Sequence, residues 1–249
     1  MALCHVNWFS QVLQKAVGMN VLVPDTGTPP FATMYLLHGL SDDYTAWMRQ
    51  SRIEVHAAKY PFIVVMPDGF RNFYTTNEQG PDYAKHVGEE IPAFVERAFS
   101  ARAERGARCI TGLSMGGYGA LRIALGYPDR FASAVSHSGA LMHGSRRVKE
   151  NTAATETEFR QVFGDNPVGS DHDLLHLAAR ARRKKLLPAL RLDCGTEDFL
   201  LNDNRQIHQR LTTLRVPHVY EEFPGNHNWD YWDDHVRDAL AFHAQALGL

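Results

Sequence analysis

Short apolar runs alternate with longer amphipathic stretches along most of this chain. "TMYLLHG" (Thr33 to Gly39) and "FIVVMPDG" (Phe62 to Gly69) are unbroken apolar runs that stop at turn signals, the pattern of strands buried on both faces. "RCITGLS" (Arg108 to Ser114), "FASAVSHSG" (Phe131 to Gly139), "ALRLDCG" (Ala189 to Gly195) and "HVYEEFPG" (His218 to Gly225) read the same way. Between them, apolar residues recur at helical spacing in "DYTAWMRQSRIEVHAAKY", "DYAKHVGEEIPAFVERAFSAR", "LNDNRQIHQRLTTL" and "NWDYWDDHVRDALAFHAQAL". In the second of these Val87, Ile91, Phe94, Val95 and Phe99 share a face, and Pro92 marks either a kink or an N-terminal turn. Strands alternating with helices predict an α/β fold, a mostly parallel sheet with helices on both faces. Residues Cys4 to Phe9 and Val17 to Val23 predict an antiparallel pair added at one edge.

The alternation fails from about Leu141 to Leu187, where the chain is polar and has no clear strand. This stretch reads as an insertion of short helices in a single domain spanning 1–249, serving either as a lid or as a surface excursion. A length of 249 residues, 44% hydrophobic and 22% charged, suits one large globular domain. Net charge is −2 without long runs of one sign, which argues against nucleic acid and against an anionic membrane as partners. The basic cluster "RARRKK" (Arg180 to Lys185) reads as a solvated helix end. Cys4, Cys109 and Cys194 form no disulfide framework, and the last two sit in apolar runs. The start, "MALCHVNWFSQVLQK", lacks the basic and apolar regions of a signal peptide, so a cytoplasmic location is the default expectation. Homo-oligomerisation is left open.

The stretch "TGLSMGGYGA" (Thr111 to Ala120) places four glycines around Ser114 at the start of a helical pattern, although each glycine costs a helix about 1 kcal/mol. It contains G-x-S-x-G between a predicted strand and a predicted helix, the setting of a tight turn that exposes a nucleophilic serine. Gly112 and Gly116 are expected where a side chain would collide with the neighbouring strand and helix; Gly117 and Gly119 are expected to let the helix approach the sheet. A phosphate loop also uses glycines at a helix start, but its lysine and following Ser/Thr are missing here.

A serine hydroxyl needs a base, and the base needs an orienting acid. Among downstream histidines, His227 lies in "FPGNHNWDYW", after the last predicted strand, where parallel sheets place their chemistry. His218 is at the wrong strand end, His137 precedes any acid in the required order and reads as a supporting residue, and His172 with His176 reads as a solvated helix face rather than a metal pair. For the acid, "LDCGTEDFLLND" offers Asp193, Glu197, Asp198 and Asp203; only Glu197 and Asp198 fall just past the strand, and Asp198 is preferred. Asp230, Asp233 and Asp234 read as exposed residues in the first turn of the last helix. Oxyanion donors are expected at the Met115 N–H and, after "TMYLLHGLSDD", at the Leu40 N–H, with His38 bracing that loop. Trp47, Tyr74 and Trp229 are candidates either for a substrate pocket or for the core.

"YLLHGLSDDYTAW", "IVVMPDG", "FYTTNEQGPDYAKHVGEEIPAFV", "GLSMGGYGALRIAL", "DCGTEDFLLNDNR" and "FPGNHNWDYW" together resemble the esterase D group of α/β-hydrolases, in its tributyrin-esterase and feruloyl-esterase-like branch. The resemblance implies an α/β-hydrolase fold, a Ser114–Asp198–His227 triad and an oxyanion loop at "HGL". It also implies serine carboxylesterase activity on short-chain acyl esters, with no metal or organic cofactor. A thioesterase such as S-formylglutathione hydrolase, a feruloyl or acetyl-xylan type esterase, an acyltransferase and a non-catalytic binding protein are the alternatives.

Overall fold

The computed structural model describes residues 1–147 and 154–249; part of the insertion expected at 141–187 therefore lies outside the described residues. Eight strands form one sheet: β1 (Ala2–Ser10), β2 (Lys15–Val23), β3 (Ala32–Leu37), β4 (Phe62–Pro67), β5 (Arg108–Leu113), β6 (Ser133–His137), β7 (Ala189–Gly195) and β8 (Val219–Phe223). Their order is β1-β2-β4-β3-β5-β6-β7-β8. β1 and β2 pair antiparallel, β2 meets β4 antiparallel, and the remaining pairings are parallel. Each strand read from the apolar runs is present, and the hairpin sits at the edge where it was expected.

Alternation along each strand sends side chains to two cores. Tyr35, Leu37, Ile63, Val65 and Ile110 face one side, and Met34, Leu36, Val64, Met66 and Cys109 face the other. Both sets are buried, which is why the strands appear in the sequence as unbroken apolar runs.

The segment read as one helix ending before Pro61 is two short ones, α1 (Ala46–Gln50) and α2 (Ile53–Ala57). Ser51 makes the break: its backbone is extended, its Oγ donates to Trp47 O at 2.6 Å and accepts from Ile53 N–H at 3.3 Å. The next helical pattern forms α3 (Tyr83–Lys85), a wide turn over His86–Glu90 and α4 (Ile91–Ala98). In the wide turn Ile91 N–H reaches back five residues to His86 O. Pro92, which has no N–H to give, follows at once, so the irregularity takes the form of a π-turn rather than a sharp kink.

α5 (Met115–Gly126) follows β5 directly. After β6 come α6 (Ala154–Phe163) and α7 (Leu174–Arg183), then α8 (Leu201–Thr213) and α9 (Trp229–Leu247). α4, α5, α7 and α8 pack on one face of the sheet, and α1, α2 and α9 on the other. The chain moves outward from β3 to β4 on one side and to β5 on the other. The crevice beyond the C-terminal ends of β3 and β5 is thus a topological switch point, where open α/β sheets gather ligands. No helix among the described residues is long and apolar enough to cross a membrane.

Candidate active site

β5 ends at Ser114, which adopts φ 52° and ψ −115°, a conformation that costs a non-glycine residue on the order of 1–3 kcal/mol. Its backbone is held on both sides: Ser114 N–H donates to His137 O at 2.9 Å, and Ser114 O accepts from Tyr118 N–H at 3.1 Å and Ala140 N–H at 3.0 Å. A Cβ at Gly112 would land on the backbone of Gly116, and one at Gly116 would come within 2.6 Å of both Leu37 O and His38 O. Only glycine fits at either position. Gly117 lies against Ser136 and Gly139 at the end of β6, as a close helix–sheet approach requires. Gly119 differs from expectation, because what it makes room for is the ring of Tyr74 rather than the sheet.

His227 follows β8 and spans the site. Its Nε2 lies 3.0 Å from Ser114 Oγ and its Nδ1 lies 2.8 Å from Asp198 Oδ2. The second oxygen of Asp198 accepts from Leu200 N–H at 2.8 Å. Burial by itself would raise the Asp198 carboxyl, but the hydrogen bonds from His227 and Leu200 N–H hold it below its usual range. Asp198 is therefore a carboxylate that fixes the imidazole with Nδ1 as donor and leaves Nε2 to accept from Ser114. Glu197 turns away from the imidazole. Its Oε2 accepts from Gly225 N–H at 2.6 Å, and its own N–H donates to Gly225 O at 2.9 Å. It ties the loop after β7 to the loop carrying His227.

The loop after β3 closes against this arrangement. His38, 1% exposed, accepts from Gly69 N–H at 2.9 Å through Nε2, and its Nδ1 lies 2.8 Å from Gly39 O. Trp47 Nε1 donates to Leu37 O at 3.1 Å, and Tyr74 Oη donates to His38 O at 3.0 Å. These bonds hold the carbonyls of the loop. Leu40 is half-buried, and Met115 is the first residue of α5, where a backbone N–H has no partner within the helix.

A family model described as a putative esterase matches residues 10–243 of the chain. The chain belongs to the esterase family. It is similar to an acetyl esterase of Caldicellulosiruptor saccharolyticus, 33% identical over 96% of this chain and 97% of the relative. Among solved structures it is similar to a fluorophosphonate-binding serine hydrolase of Staphylococcus aureus with substrate bound, at TM-score 0.85 and 29% identity over 97% of this chain and 98% of the other. An S-formylglutathione hydrolase from the same organism gives TM-score 0.84 and 29% identity over 98% and 99%. The fold is that of the α/β-hydrolases, and the chain is a serine esterase, a carboxylic ester hydrolase.

In this esterase the remaining candidates separate cleanly. Trp47 and Tyr74, 1% and 0% exposed, are closed to substrate and act as braces of the loop after β3; of the three candidate pocket aromatics only Trp229 keeps partly exposed surface. His137 is fully buried and bonds Asp193 at 2.9 Å, with Tyr231 Oη donating to the same carboxylate at 3.1 Å. His172 is not on a solvated helix face. It is buried ahead of α7, with Nδ1 2.9 Å from Thr75 Oγ1, and burial pushes it below its usual range. His218, at the start of β8, faces His208 at 2.9 Å, and Asp203 pairs with Arg146 at 3.2 Å. Asp233 is not free in solvent either, since it accepts from Arg52 N–H at 2.7 Å and lies 3.1 Å from His56 Nε2, joining α9 to α2. Asp230 and Asp234 are exposed as expected. Phe199, whose ring centroid lies 4.5 Å from that of His227, is not among the residues the sequence singles out. Its position directly after the candidate acid was the available signal.

Proposed function

We propose that the esterase hydrolyses an acetyl or other short acyl ester with Ser114 as nucleophile, His227 as general base and acid, and Asp198 as the carboxylate that orients His227. The observation that carries this reading is His227 bridging Ser114 at 3.0 Å and Asp198 at 2.8 Å. Ser114 Oγ attacks the ester carbonyl carbon while its proton passes to His227 Nε2. The carbonyl oxygen becomes an oxyanion between the N–H groups of Met115 and Leu40, each donor contributing about 3 kcal/mol to the transition state. Collapse breaks the bond to the alcohol, which leaves with the His227 proton. Water then attacks the acyl-enzyme with the same histidine as base and releases the acid and free Ser114. We read the chain as one domain, and Arg71, which donates both to Glu158 on α6 and to Ser41 Oγ after β3, supports a lid role for the described part of the insertion. The short acyl group is supported by the 33% identical relative named an acetyl esterase.

Turnover of p-nitrophenyl acetate is expected to fall by about 10³-fold or more in both Ser114→Ala and His227→Ala. Near-normal turnover in either overturns the triad. Asp198→Asn should lose far more than Glu197→Gln, and the reverse would move the acid by one residue. A thioester is the second reading, supported by the S-formylglutathione hydrolase at 29% identity. Comparing kcat/KM on S-formylglutathione and on ethyl acetate decides between them.

A further inference from the structure

Phe199 is 74% exposed, more than any other large hydrophobic side chain among the described residues. It is exposed beside the candidate chemistry rather than at a distant surface. Its ring lies 4.5 Å from the His227 imidazole, centroid to centroid, tilted by 52°, while Trp232 meets the same imidazole edge-on at 4.9 Å. Phe199 is also held in place by its neighbours. Asp198 before it and Leu200 after it are 5% and 7% exposed, and the Asp198 carboxylate accepts from Leu200 N–H at 2.8 Å. The backbone on both sides is fixed, so the ring is presented outward.

We propose that Phe199 is the wall of a leaving-group subsite that takes an apolar, ring-bearing alcohol. The inference rests on the roles of Ser114 and His227 given above. His227 Nε2 faces Ser114 Oγ, and the proton it collects there must be handed to the departing alkoxide oxygen. The alcohol half of the ester therefore lies beside the imidazole when the bond breaks, whereas the acyl half stays on Ser114 with its oxygen toward Met115 and Leu40. An aromatic ring flanking the imidazole meets the alcohol, and an alcohol with a ring of its own covers apolar surface on Phe199 that a methyl group is too short to reach.

The test is the ratio of kcat/KM for benzyl acetate to that for methyl acetate, two esters that share an acyl group. Phe199→Ala is expected to lower this ratio about tenfold, the size expected for partial loss of one aromatic contact surface. Phe199→Leu, which keeps apolar bulk without the ring, should fall between Ala and the native residue. A ratio within twofold of the native value in Phe199→Ala overturns the proposal, because a residue that merely steadied His227 would lower both substrates equally. Failure of the triad itself would show elsewhere, as surviving turnover of both esters by Ser114→Ala.

Discussion

The turn at Ser114 and the inserted helix α6 are fixed in opposite ways. The turn is held by backbone atoms in contact with backbone atoms: Ser114 with His137 and Ala140, Gly112 with Gly116, and Gly116 with Leu37 and His38. α6 is held mainly by rings and an ion pair, with two backbone bonds at its end, from Glu78 N–H to Val162 O at 3.2 Å and from Gln79 N–H to Gln161 O at 3.0 Å. Phe159 and Phe163 pack against Phe73 and His143, with Phe73 centroids at 5.5 and 5.1 Å, and Glu158 receives Arg71 at 2.6 and 2.8 Å. Arg71 also donates to Ser41 Oγ at 3.1 Å, which links α6 to the loop after β3. Backbone contacts leave no room for adjustment, while a cluster of rings repacks readily. The geometry at Ser114 is thus expected to tolerate less sequence change than the packing of α6.

The largest effect should come from Gly116→Ala. The added methyl meets two carbonyl oxygens that sheet pairing and side-chain bonds hold still, so a loss of about 3 kcal/mol is expected in denaturant unfolding, with loss of ester turnover. Native stability in this variant would show that the turn yields after all.

A second test concerns the underside of the turn. His243 on α9 lies 2.7 Å from Thr111 Oγ1 on β5 and 2.7 Å from Ser133 Oγ on β6. Burial, reinforced by nearby His137, pushes its imidazole down to about 3. Unfolded, a histidine titrates near about 6.5. Between those values the unfolded chain binds a proton that the folded chain refuses. Stability therefore falls as pH drops from about 6.5 toward 3, by up to about 1.4 kcal/mol per pH unit. His243→Gln should flatten the dependence of Tm on pH between 6 and 4.5. An unaltered slope would assign the acid sensitivity to another group.

The smallest effect is expected from Glu158→Gln. Arg71 and Glu158 are 37% and 24% exposed, so solvent screens the pair and the loss should stay below about 1 kcal/mol. A cost equal to that of Gly116→Ala would erase the contrast between the two regions.

The same contrast decides what was legible in the chain. β3, β4, β5 and β6 were readable because both their faces are buried, and the turn at Ser114 was readable because only glycine fits at positions 112 and 116. The placement of Asp198 and His227 beside Ser114 was legible from their order and from their position past strand ends. Ser51 was not read as a helix breaker, because its effect depends on a side-chain bond to its own backbone that polarity alone does not reveal. Trp47 and Tyr74 were ambiguous for a related reason. An aromatic residue in a substrate pocket and one that braces a carbonyl have the same local sequence, and only the tertiary bond to Leu37 O or His38 O separates them. Asp233 has the local sequence of a solvated first-turn acid, and its bonds to Arg52 and His56 come from residues distant in the chain.

The bracing of the loop after β3 has an evolutionary consequence. Trp47, Tyr74 and His38 grip that loop through its carbonyls and through their own polar atoms, leaving the side chain of Leu40 out of these bonds. The proposed oxyanion donors are main-chain atoms, indifferent to which side chain their residue carries. On the proposed mechanism, charge stabilisation at position 40 is then encoded in the main chain and not in the side chain. Replacement of the Leu40 side chain, which packs against the core, is then expected to leave the main-chain donor in place, so that this half of the charge-stabilising machinery can be inherited unchanged while the side chain drifts.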